Sequence, residues 1–162
     1  MPYGVRQAAA VVHEDSLYVI GGHGGHGYLA SMLRLDGASG QWSQMPSMKQ
    51  ARAMQSGVAV LPQKGIVACG GIYDNYNYLA SCELYSFKNL EWASFPSMGQ
   101  TRHNYGLVEW QGSLLAFGGI YHGYVRKRYT ASIERLNGEE RGWLLLNVTL
   151  PRWRYNHALV VY

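Results

Sequence analysis

The chain has 162 residues, with 14 lysines and arginines against 10 acids and a formal net charge of +4. That length suits one ordinary domain with a real core, and the charge excess is too mild to mark a nucleic-acid-binding protein by composition. No apolar run approaches the roughly 18 to 20 residues that cross a bilayer, and the small apolar run before His13 falls short of a signal-peptide core of about 7 to 15 residues.

These exclusions set the expectation of a soluble cytoplasmic protein with no membrane contact. Cys69 and Cys82 lack CxxC spacing, so they read as reduced, small, buried apolar side chains rather than a disulfide framework or zinc ribbon. Twenty glycines and thirteen tyrosines predict short aromatic-rich strands joined by tight turns.

Along the chain, "RQAAAVVH" and "SLYVI" form the arms of a first hairpin around the polar tip "EDS". The next stretch, "GGHGGHG", contains a literal GxGxxG at Gly22, Gly24 and Gly27. A dinucleotide fold would need a helix after it to present its N-terminus to a pyrophosphate, whereas the chain continues into the alternating strand "SMLRLD". His23 and His26 supply two of the three or four ligands that a metal site requires. Neither a cofactor nor a metal is expected.

A second unit follows, with the hairpin "QSGVAVL", "PQKG", "GIVACGG", then "SCELYSF" and "LEWASF". A third begins at "RHNYGLVEW". No segment sustains a 3.6-residue apolar period, so the fold class is all-β.

The units keep one period. Glycine pairs stand at Gly21-Gly22, Gly70-Gly71 and Gly118-Gly119, and tryptophans at Trp42, Trp92 and Trp143, all close to 50 residues apart. Between them Ala30-Ser31, Ala80-Ser81 and Ala131-Ser132 keep the same step to Leu35, Tyr85 and Leu136. "MPSM" and "FPSM" lead to Arg52 and Arg102, and "LPRWR" to Arg154. Glycines inside strands mark places where another group packs against bare backbone, and the tryptophans are expected between neighbouring units.

Four strands per unit, a glycine pair ending the second and aromatic positions on the third and fourth resemble the kelch repeat over the whole chain. That resemblance implies a β-propeller with one four-stranded blade per unit, over about 6–51, 52–101 and 102–153, and a fourth beginning at 154–162. The family's third-strand tyrosine is present as Tyr85 and replaced at Leu35 and Leu136. Propellers typically close with 4 to 8 blades, so a partial ring is expected, completed by the rest of a longer chain or by homo-oligomers.

Strand direction places the second-to-third loops on the same face as the connections into each first strand. The loops bring His23, His26 and Tyr28; Tyr73, Asn75, Tyr76, Asn77 and Tyr78; and Tyr121, His122, Tyr124, Arg126, Lys127, Arg128 and Tyr129. The connections bring Arg6, Arg52, Arg102 and Arg154, with His103, Asn104, Tyr155 and Asn156. These residue types dominate protein-recognition surfaces, so this face is the expected partner-binding site, for an acidic protein or peptide ligand. Structural roles for the periodic arginines weigh evenly against that reading.

No nucleophile, base and orienting group come together by spacing. The expected function is therefore a non-catalytic interaction module. The kelch resemblance implies a substrate-recognition domain of cullin-based ubiquitin ligase adaptors, with actin-binding or scaffold proteins as the alternative and a fragment of a kelch-type oxidase or sugar mutarotase behind them. Nucleic acid is not an expected partner, because tyrosines and basic residues interleave only at 121–129.

Overall fold

The computed structural model describes residues 1–54, 57–74, 77–122 and 127–157. Asn75, Tyr76, Tyr124 and Arg126 lie outside the described residues, as do residues 158–162 of the expected fourth blade. Among the described residues no helix is long and apolar enough to cross a membrane.

Three antiparallel four-stranded sheets follow one another, as the repeats require. Blade one consists of β1 (Ala9–His13), β2 (Ser16–Ile20), β5 (Met32–Asp36) and β6 (Trp42–Met45), with the short hairpin β3 (His23–Gly24) and β4 (Gly27–Tyr28) in its loop. Blade two consists of β7 (Gly57–Leu61), β8 (Gly65–Cys69), β9 (Cys82–Ser86) and β10 (Glu91–Phe95). Blade three consists of β11 (Gly106–Trp110), β12 (Ser113–Phe117), β15 (Ser132–Leu136) and β16 (Trp143–Thr149), with the loop hairpin β13 (Ile120–His122) and β14 (Lys127–Tyr129). β7 packs against β1 on one side and β11 on the other, so the first strands gather innermost. This is a partial kelch-type β-propeller.

Two apolar cores lie between the blades. The first joins Tyr18, Ile20, Met32 and Met48 to Ile66, Ala68, Tyr85 and Trp92. The second joins Val67, Phe95 and Met98 to Tyr105, Leu107, Leu114 and Leu136. Trp92 and Trp143 each donate an indole N–H to a carbonyl of the preceding blade's exit segment, at Pro46 (2.9 Å) and Pro96 (2.8 Å). The tryptophan thus combines apolar burial with a satisfied polar edge.

Each glycine pair has a geometric reason. Gly21, Gly70 and Gly118 have φ near +64°, and a Cβ on them would lie 2.3, 2.4 and 2.7 Å from the carbonyl oxygens of Arg52, Arg102 and Arg154. Those same carbonyls accept the N–H groups of Gly22, Gly71 and Gly119. Bare backbone is required because the next connection passes directly over it.

The reading of the cysteines as reduced is corrected here. Cys69 and Cys82 form a disulfide. They stand directly opposite each other at the ends of β8 and β9, a juxtaposition that arises when the two strands pair and not from any CxxC spacing.

Candidate functional site

The loop-bearing face starts at the connections between blades. Gln7, Met54, Asn104 and Asn156 all have positive φ, between 52° and 58°, so each connection turns at the same place before entering its first strand. Asparagine visits this left-handed conformation more readily than most residues. The N–H of Asn104 donates to Met54 O and that of Asn156 to Asn104 O, both at 3.0 Å, which links successive connections. The expected binding role of Asn104 and Asn156 therefore yields, for their backbones, to a turn-forming one.

This turn also corrects the register of the arginines. Arg6 pairs its backbone with His23 as Ala53 does with Ile72 and His103 with Ile120. Val5, not Arg6, occupies the position of Arg52 and Arg102.

Arg52 and Arg102 are not surface residues; both are 0% exposed. Arg52 donates to the carbonyls of Gly70 and Ser81 and to Glu83 Oε1, each at 2.9 Å. Arg102 donates to Gly118 O (2.7 Å), Ser132 Oγ (2.7 Å) and Glu134 Oε1 (2.9 Å). The carboxylates reach back to the preceding blade's exit: Glu83 accepts the N–H groups of Lys49 (2.7 Å) and Gln50 (3.1 Å), and Glu134 that of Gly99 (2.6 Å). A buried charge persists only when paired and hydrogen-bonded, and each arginine is held to its own blade in this way. His103 is also buried. The partner-binding assignment of Arg52, Arg102 and His103 is therefore withdrawn.

The structure brings together other members of the expected set. Tyr28, Tyr78 and Tyr129 hold the same place, two residues before each Ala-Ser, and each meets aromatic rings. Tyr28 meets His23 edge-on (5.1 Å between centroids); Tyr78 stacks on His122 (4.7 Å) and tilts over His103 (5.2 Å). Tyr129 stacks on Trp153 (4.9 Å) and Tyr155 (5.0 Å). The last three rings are 52%, 56% and 40% exposed. Arg128, Arg152, Arg154 and Asn156 are exposed near them in the chain, as are His26, Tyr73 and His122 elsewhere on the loops, while Tyr121 is half-buried. Among the described residues Arg128, Arg152 and Arg154 form no ion pair. His157 is held below the ordinary histidine range, first by burial and then by the charge of Arg154.

Trp153 and Arg152 escaped the sequence reading; the available signal is the alternation of basic and aromatic residues in "PRWRYNH". Glu83 and Glu134 escaped it as well, although they stand at equivalent places three residues after Ala80 and Ala131.

A family model described as the Kelch motif matches residues 5–49, which is blade one with its connection. The chain belongs to the kelch-repeat family. It is 30% identical over 157 residues to mouse Kelch-like protein 40, covering 96% of this chain and 22% of that protein. Zebrafish Kelch-like protein 41b is 29% identical over 121 residues, covering 74% of this chain and 20% of its own length. Human Kelch-like protein 33 is 28% identical over 105 residues, covering 64% and 19%. The chain thus spans about a fifth of the length of these curated kelch relatives.

Proposed function

We propose that this kelch chain is a non-catalytic protein-interaction module whose loop face takes an acidic segment of a partner protein. The observation that carries the reading is the contrast between Arg52 and Arg102, consumed by internal carboxylates, and Arg128, which is exposed and adjoins Tyr129 in its stack with Trp153 and Tyr155. Arginine makes its strong polar contacts with carboxylate or phosphate, and rigid aromatics add area at low entropic cost. A role as the substrate-recognition part of a cytoplasmic cullin-based ubiquitin ligase is the finer form of this proposal, brought by the kelch resemblance.

Titrating the purified chain against an acidic peptide library tests it. Arg128→Ala and Arg154→Ala should each weaken the best binder roughly tenfold or more, the scale of a lost charge-assisted hydrogen bond. Unchanged affinity in both variants removes the acidic-segment reading.

The ring itself belongs to the proposal. Val12 on β1 and Leu144, Leu145 and Val148 on β16 are exposed, which supports further blades or a second copy covering the outer faces. Light scattering at micromolar concentration should find dimers or larger assemblies; a cooperative monomer counts against it.

A further inference from the structure

Blade two differs from its neighbours at one pair of positions. Where blade one sets Ile20 opposite Met32 and blade three sets Phe117 opposite Ile133, blade two sets Cys69 opposite Cys82 and bonds them. Apolar side chains fill this place elsewhere, so packing alone does not demand a covalent link. Cys69 and Cys82 also bracket the connection 70–81, the segment that carries Tyr73 and Tyr78 onto the loop face. The residues just inside the bracket, Gly70 and Ser81, are those whose carbonyls hold Arg52.

The two sulfurs are not equally placed. A cavity of about 230 Å³ opens beside Arg52 and is lined by Lys49, Ser81, Cys82, Ser94, Phe95 and Ser97, with no contribution from Cys69. Both cysteines belong to the core between blades two and three, Cys69 fully buried and Cys82 3% exposed, and only Cys82 also borders this cavity. Arg52 and Glu83 neutralise each other at the cavity's edge, which leaves the exposed Lys49 as its net charge. A thiolate is the attacking species in disulfide exchange, and a neighbouring cation favours it.

We propose that the Cys69–Cys82 disulfide is a thiol-exchange site for low-molecular-weight thiols such as glutathione, with Cys82 as the attacked sulfur. The incoming thiolate bonds to Cys82 Sγ, the protein's S–S bond breaks, and Cys69 leaves with the electron pair and takes a proton from water. A second thiol then displaces Cys82 and departs as the small-molecule disulfide, so two thiols are oxidised as the protein gains two. The freed sulfurs occupy a site that apolar pairs fill in the other blades, so the blade stays folded while the stems of 70–81 lose their clamp. Only the consequence for partner binding rests on the proposed loop-face function.

The test needs no partner, so its failure is separable from failure of that function. The oxidised chain is incubated with reduced glutathione, quenched with N-ethylmaleimide and mapped by tandem mass spectrometry. Glutathione on Cys82 with alkylated Cys69 is the expected species. Glutathione on Cys69, or no modification of either cysteine under native conditions, overturns the site. Hydrogen exchange then compares the oxidised chain with the dithiothreitol-reduced one. Amides in 70–81 should exchange several-fold faster after reduction, and the double variant Cys69→Ile with Cys82→Met, which copies blade one, should not respond to dithiothreitol. Equal exchange before and after reduction of the native chain overturns the loosening of the loop.

Discussion

Blades two and three are each held at their entry by a buried arginine and glutamate, whereas blade one has Val5 at the arginine's position and Leu33 at the glutamate's. Leu33 is buried like the carboxylates it replaces. The strands, the glycine pair and the apolar core form in all three blades. The ion pair is therefore one of two ways to fill the same place and not a condition of the kelch fold. Its advantage lies in the bonds it adds: Glu83 and Glu134 fix the preceding blade's exit segment, and the arginines fix the carbonyls beneath the glycine pair.

Arg102→Ala or Glu134→Ala leaves an unpaired buried charge and should destabilise the chain by about 3–5 kcal/mol in urea unfolding. The double change Arg102→Val with Glu134→Leu, which copies blade one, should recover most of that loss. A double variant as unstable as the singles would mean that blades two and three depend on the pair in a way that blade one does not.

Trp92→Ala should also cost about 3–5 kcal/mol, because it empties the core between blades one and two and strands the Pro46 carbonyl. Trp42 is only half-buried, so Trp42→Ala should cost clearly less; equal losses would undo the distinction between a tryptophan with a preceding described blade and one without.

The junction of blades two and three has a further mark, Tyr105, whose hydroxyl donates to Cys69 O at 3.0 Å. Burial raises its phenol well above the ordinary tyrosine range. The unfolded chain releases this proton near pH ~10 while the folded chain retains it, so its contribution is complete below that pH and falls away as pH rises above it. Tyr105→Phe should flatten the alkaline limb of a stability–pH curve, and a limb of unchanged slope would assign it to other groups. The smallest effect belongs to Arg154→Ala, expected within about 0.5 kcal/mol of the parent. A larger loss would mean that its guanidinium is structural, like those of Arg52 and Arg102.

Much of the architecture was legible because it is periodic and local. Glycine pairs, tryptophans and alternating strands recur near every 50 residues, and each reports its own neighbourhood: a crowded backbone, an inter-blade core, a two-faced strand. The candidate site was legible only in part. The connection arginines look like surface residues in sequence, yet Arg52 and Arg102 are buried, because each meets a carboxylate that lies 31 or 32 residues further on. Arg6 was displaced by one residue when backbone pairing set the register, since a short variable lead carries no periodic marker of its own.

By itself, then, the amino-acid order determined the strands, their repeat and the loops that share a face, since side-chain alternation and glycine's freedom act over a few bonds. Long-range packing settles that Arg52 and Arg102 are core residues, that Cys69 and Cys82 are bonded, and that Trp153 joins Tyr129 and Tyr155. Those outcomes turn on distances between segments far apart in the chain, where desolvation and pairing are settled by what the neighbouring strand or blade presents.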